Sequence, residues 1–113
     1  MTSTLHDAAK RAEIIAALRD FADLIETDPT VPTPNDIDAW AHLHRSQGTQ
    51  AERFAAVHDF AEAHGVAVTE DWKGERKTHK RFGLIELHVF GYADERPEDR
   101  IVTRADDPAL SAA

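Results

Sequence analysis

Hydrophobic and polar residues alternate most clearly in residues 82–92, the stretch with the densest apolar content in the chain. Because side chains along a strand point to its two faces in turn, the pattern predicts one apolar and one mixed face. We interpret this stretch as a central strand of a small sheet. Its apolar face contains Ile85, Leu87 and Val89, and its mixed face contains Leu84, Glu86, His88 and Phe90.

Residues 36–45 also alternate strictly, which predicts a second strand. One face would carry Ile37, Ala39, Ala41 and Leu43, and the other Asp38, Trp40, His42 and His44. The alanines and leucine of this segment would equally suit a helix. In a helix, His42 and His44 would diverge by about 200° and could not form one site.

Two segments repeat their apolar residues with helical spacing. The first, residues 4–27 with Thr4 as N-cap, ends at Asp28-Pro29, because a residue before proline avoids the α region. The second follows a capping box at Thr49 and Glu52 and ends at Gly65. Both apolar stripes are expected in the core: Ile14, Leu18, Phe21 and Ile25 in the first helix, and Phe54, Val57, Phe60 and Ala61 in the second.

Residues 66–72 form a third predicted strand, followed by a turn at 73–75 and a basic return over 76–81. This arrangement predicts a hairpin with a positively charged tip. The order α-β-α-β-β predicts a two-layer α+β domain over residues 1–93, with two helices on one face of a three- or four-stranded, mostly antiparallel sheet. Residues 94–113 are expected to be a polar tail, with a short edge strand possible at 101–103.

The composition argues against several classes of protein. The 113 residues carry a net charge of −8, from 21 acidic and 13 basic side chains, and contain no cysteine. This balance disfavours non-specific binding to nucleic acid or to anionic lipid. The chain has neither a long apolar run nor a signal-peptide layout at its start, so we expect a cytoplasmic protein without membrane contact.

Two helices on one side would leave the other face of the sheet uncovered. Exposed aromatic side chains on a sheet commonly mark association, so we expect this face to bind a partner protein or a second copy of the chain. The predicted binding residues are Trp40, His42, His44, Glu86, His88 and Phe90, with Trp72 near the rim.

Other interpretations use some of the same residues. A metal ion could be held by His42, His44, His88 and Glu86, and a Glu86–His88 pair could act in acid–base chemistry. However, the chain has no phosphate-binding loop and no nucleophile elbow, so we expect a non-enzymatic protein without cofactor or metal. The main alternative is nucleic-acid binding through the basic hairpin 73–81, using Lys73, Arg76, Lys77, Lys80 and Arg81.

Several segments between residues 11 and 92 carry a resemblance to a known group. They are the helix 11–26 with Val31-Pro32-Thr33-Pro34, the helix end Ala63-His64-Gly65-Val66, and Arg81-Phe82-Gly83. In these segments the chain resembles small uncharacterised proteins of actinobacteria and their phages. The resemblance implies an accessory protein of a phage or mobile element, and it brings no catalytic motif.

Overall fold

The computed structural model describes residues 4–95. A short 3-10 turn at Thr4–His6 precedes two α-helices and four β-strands. These elements confirm the α+β class and the predicted order α-β-α-β-β. They are α1 (Ala8–Thr27), β1 (Ile37–Leu43), α2 (Gln50–His64), β2 (Thr69–Glu70), β3 (Arg76–Phe82) and β4 (Ile85–Gly91).

The four strands form one mixed sheet in the order β1-β4-β3-β2. β4 pairs in parallel with β1 and antiparallel with β3, and β2 pairs antiparallel with β3. The predicted central strand is therefore confirmed as β4, but it begins at Ile85. Phe82 ends β3, and a two-residue turn at Gly83 and Leu84 connects the two strands.

The segment at residues 36–45 is a strand, as predicted, and not a helix. The strand predicted at 66–72 is much shorter, because only Thr69 and Glu70 pair with β3. Asp71 ends it by starting a turn, since its Oδ1 atom accepts hydrogen bonds from the backbone N–H groups of Lys73 and Glu75 at 2.9 and 3.0 Å. The turn predicted at 73–75 lies within this loop.

Helix α2 has the predicted ends and covers the sheet. Thr49 and Glu52 form the capping box, and Gly65 adopts the left-handed conformation with φ 65°. Val57 of α2 packs with Leu43 and Val89 in the core. Gly91 allows this close packing, because a Cβ atom there would lie 2.9 Å from Val57 Cγ2.

Arg53 of α2 is completely buried and joins three parts of the chain. Its guanidinium donates hydrogen bonds to the carbonyl oxygens of Arg45, Gly48 and Tyr92 at 2.8–3.1 Å, and it pairs with Asp94 at 2.5 Å. Asp94, the first residue of the predicted tail, belongs to this network, and the boundary between domain and tail stays a prediction. The predicted edge strand at 101–103 lies outside the described residues.

Helix α1 departs from the predictions in two ways. Its N-cap is Asp7, whose side chain accepts from the backbone N–H of Lys10, and not Thr4. More importantly, the prediction that its apolar stripe lies in the core is wrong, because α1 has no buried residue. The groove between α1 and the sheet is lined by helix residues only up to Ile15, and by Leu87 of β4.

The position of α1 leaves α2 as the helix that covers the sheet. Leu5, just before α1, packs against the core cluster. Beyond Ile15, the apolar side chains of α1 are in solvent, and Leu18 is 55% exposed. Among residues 4–95, no helix combines the length and the apolar character needed to cross a membrane.

Candidate binding surface

The sheet surface opposite α2, which we call the open face, is built by alternate residues of three strands. The register places Trp40 beside His88, and His88 beside His79, in one row across the sheet. A second row contains His42, Phe90 and Lys77. The open face comprises Asp38, Trp40, His42 and His44 from β1 and its end, Lys77, His79 and Arg81 from β3, and Glu86, His88, Phe90 and Tyr92 from β4 and its end.

Aromatic and imidazole rings are stacked along the open face. The Trp40 ring lies 4.1 Å from His88 and 5.5 Å from His42, with interplanar angles of 10° and 6°. His44 continues the row at 5.7 Å from His42, and Tyr92 stacks on His44 at 5.1 Å. Successive same-face residues on a strand are separated by about 6.6 Å, so β1 places these rings at stacking distance. The result is a row of mutually stacked rings in which Trp40 is 55% exposed.

The two carboxylates of the open face already have partners. His88 Nε2 lies 2.9 Å from Asp38 Oδ1, and His79 Nδ1 lies 2.6 Å from Glu86 Oε2. Arg81 also pairs with Glu86, at 3.3 Å. These contacts fix the orientation of the two imidazole rings, and the Arg81 guanidinium offsets the charge of Glu86.

Lys77 is the basic residue of the open face that lacks a carboxylate partner within residues 4–95. Its Nζ atom lies 5.7 Å from the centre of the Phe90 ring. A cation over an aromatic face is attracted to it, but it can still accept an anionic partner. The open face therefore offers one available positive charge next to its rings.

One group on the open face has donor atoms suited to a divalent cation. Single ligand atoms of Asp38, Glu86 and His88 lie within 4.8 Å of one another. The predicted ligands His42 and His44 are not in this group. The Arg81 guanidinium beside Glu86 opposes a bound cation, and a metal would have to replace the His88–Asp38 hydrogen bond.

The structure brings together six of the seven predicted binding residues. Trp72 is separate, because it lies in the β2–β3 turn, where it is 81% exposed with Lys73 Nζ 5.1 Å from its ring centre. The sequence predictions missed several members of the open face. Alternation along a strand at 76–82 would have found the β3 residues, and a two-residue step from Phe90 would have found Tyr92. His79 and Tyr92 were not predicted in any site, Asp38 was predicted on this face but not as a binding residue, and Lys77 and Arg81 were predicted only as nucleic-acid contacts.

The predicted basic surface at 73–81 is divided by the strand that contains it. Lys77 and Arg81 point to the open face, whereas Arg76 and Lys80 point to the α2 side. There, Arg76 lies over the Phe54 ring and pairs with Glu70, and Lys80 Nζ lies 3.3 Å from His64 Nδ1. The five basic residues therefore do not form one patch.

Comparison with known proteins found no match for this chain. No protein-family model, no curated protein and no solved structure matches the chain. The function must therefore be inferred from the open face itself.

Proposed function

We propose that this chain is a non-enzymatic binding protein whose open face docks a partner protein. The observation that carries the proposal is the stacked row of exposed rings centred on Trp40. Aromatic residues are enriched in protein interfaces, where they provide large contact areas with little loss of conformational freedom. In this row, neighbouring rings restrict one another before any partner arrives.

The charges of the open face indicate what the partner should present. The Arg81 guanidinium offsets the charge of Glu86, and an imidazole lies against each of the carboxylates Asp38 and Glu86. Lys77 is available beside Phe90. We therefore expect an apolar or aromatic side chain against Trp40 and Phe90, and a carboxylate against Lys77.

The test compares two exposed tryptophans in pull-downs from the native host. Trp40→Asp removes the centre of the open face, whereas Trp72→Asp makes the same change outside it. We expect a specific protein to be captured by the wild type and by Trp72→Asp, and to be lost with Trp40→Asp and weakened with Lys77→Glu. Circular dichroism verifies that each variant is folded. Equal capture by Trp40→Asp and the wild type would contradict the proposal.

A second candidate function is binding of single-stranded nucleic acid. It is favoured by one observation: Lys77 and Arg81 lie on the same face as Trp40 and Phe90, which is the combination that stacks bases and contacts phosphates. The net charge of −8 and the two carboxylates of the open face oppose it. Binding of an oligothymidylate that weakens steeply with salt and disappears with Trp40→Asp and Lys77→Glu would favour this candidate over a protein partner.

The biological setting is also part of the proposal. We infer an accessory role in an actinobacterium or its phage, on the resemblance of residues 11–92 to such proteins, and action in the cytoplasm. Pull-downs from host cells with and without phage infection test this setting. A partner encoded by the phage, or captured only during infection, would support it, whereas a host partner captured equally in both conditions would oppose it.

A further inference from the structure

A second uncovered surface lies on α1, away from the open face. Six large apolar side chains of this helix are 37–55% exposed. Soluble monomers rarely expose more than a few hundred Å² of contiguous apolar surface, and six such side chains reach roughly that size. The exposed side chains, which we call the α1 stripe, are Ile14, Ile15, Leu18, Phe21, Leu24 and Ile25.

The charges of α1 do not stabilise it as an isolated helix. Its first turn contains Lys10 and Arg11 and no acidic residue, and its last turn contains no basic residue. This arrangement within the helix opposes the macrodipole, which favours acidic residues at the N-terminus and basic residues at the C-terminus, whereas the N-cap carboxylate of Asp7 agrees with it. Because most helices gain their stability from packing of an apolar face, α1 requires a partner along its length.

The same charges indicate which partner fits. The first half of α1 is net positive, with Lys10 and Arg11 against Glu13. Its second half is net negative, with one basic residue, Arg19, against Asp20, Asp23 and Glu26. Two copies of α1 side by side in antiparallel orientation would place the basic end of each against the acidic end of the other. A parallel pair would place like charges together.

The spacing of the α1 stripe suits such a pair. Ile14, Leu18, Phe21 and Ile25 follow one another by four, three and four residues, the repeat by which two helices interlock their side chains. A two-fold axis between Leu18 and Phe21 would match the stripe with itself, as a symmetric dimer interface requires. Two stripes together would bury on the order of 1,000 Å², which is near the lower limit for a specific interface.

We propose that the protein forms a homodimer through antiparallel pairing of α1, with a second copy of the chain covering the α1 stripe. This surface is independent of the open face, which remains available in the dimer. The proposal can therefore succeed or fail separately from the proposed function.

Light scattering on the full chain tests the dimer. At about 100 µM we expect a mass near twice the 12.6 kDa of one chain, since dimer formation follows mass action. Leu18→Asp should give the single-chain mass, and the control Leu84→Asp, at an exposed leucine in the β3–β4 turn, should remain dimeric. A wild-type monomer at this concentration, or a dimer that persists with Leu18→Asp, would overturn the proposal.

Charge exchange provides a second test that leaves the apolar stripe intact. Arg11→Glu or Glu26→Lys should each weaken the dimer about threefold, because the axis places Arg11 within one helical turn of the partner's Glu26 and surface ion pairs contribute modestly. Both changes together should restore the affinity. A combined variant as weak as either single variant would overturn the antiparallel pairing.

Spin labels measure the orientation directly, because the chain contains no cysteine of its own. Labels on Ala9→Cys should be separated by about 30 Å in an antiparallel pair and by about 10 Å in a parallel one. Labels on Arg19→Cys, near the proposed axis, should be close together. Short distances at both positions would overturn the antiparallel arrangement.

Discussion

The two helices of this protein have comparable apolar stripes but opposite surroundings. Helix α2 buries Val57 and Ala61 against the sheet, whereas α1 buries none of its residues. The stripe of α1 is the richer of the two in large side chains. Helical periodicity therefore predicts an apolar face that must be covered, but it does not predict which part of which chain covers it. In α2 the sheet of the same chain covers it, and in α1 we infer a second chain.

Loss of the Arg53 guanidinium should produce the largest contrast between the helices. Arg53→Met would leave the carbonyl oxygens of Arg45, Gly48 and Tyr92 without their donor inside the protein. We expect the free energy of unfolding to fall by about 3 kcal/mol or more, because unpaired buried polar groups are costly. The matched variant Arg19→Met on α1 should change it by less than about 0.5 kcal/mol.

Denaturant unfolding of both variants measures this contrast. A loss below about 1 kcal/mol for Arg53→Met would mean that the network is not needed to join α2 to the ends of β1 and β4. An equal loss for Arg19→Met would remove the distinction between the helices.

Shortening one apolar side chain on each helix should give the next largest difference in the free energy of unfolding. Val57 has no exposed surface, so Val57→Ala should lower the free energy of unfolding by about 2 kcal/mol. Leu18→Ala, measured where the protein is monomeric, should lower it by less than about 0.5 kcal/mol, because this side chain packs on nothing buried. Similar losses for the two variants would show that α1 contributes to the core of its own chain.

Local signals in the sequence account for the parts of the fold that could be predicted. The capping box of Thr49 and Glu52, the C-cap Gly65 and the alternation of β1 and β4 depend on near neighbours, and each was confirmed. Strand β3 was harder to predict from the sequence, because it has polar residues on both faces and resembles a charged turn. As a result, the sequence predicted six binding residues of the open face but did not assign the β3 residues to that face.

Long-range packing determines the features of the fold and of the open face that could not be predicted from the sequence. The burial of Arg53 depends on carbonyl groups brought together from distant segments, and no sequence pattern marks it. The exposure of Leu18 depends on the direction in which α1 leaves the sheet. Trp72 follows the alternation of residues 66–72, yet the Asp71 turn removes it from the sheet.

The smallest predicted change in stability concerns the C-terminal end of α1. The hydroxyl and backbone N–H of Thr30 donate to Asp28 Oδ1 at 2.6 and 3.0 Å, and these bonds hold the pKa of Asp28 below its ordinary value of 3.8. A carboxylate with a lowered pKa contributes stability above that ordinary value and loses it as the pH falls through the lowered pKa. Asp28→Asn should therefore slightly lower the thermal midpoint at neutral pH.

Thermal unfolding of the wild type and Asp28→Asn across the acid range tests this effect. The difference between them should shrink below about pH 4 and vanish when the carboxyl is protonated. A difference that stays constant over the whole range would show that the Asp28 charge does not stabilise the helix end.

Hydrogen exchange measured as a function of protein concentration tests the contrast between the two helices most directly. Amides of residues 8–27 should exchange rapidly in dilute solution and gain protection as the concentration rises, while those of residues 50–64 should remain equally protected throughout. That result would show that α2 is covered by its own chain and α1 by another. Equal protection of α1 and α2 at the lowest concentration would show that α1, too, is covered by its own chain.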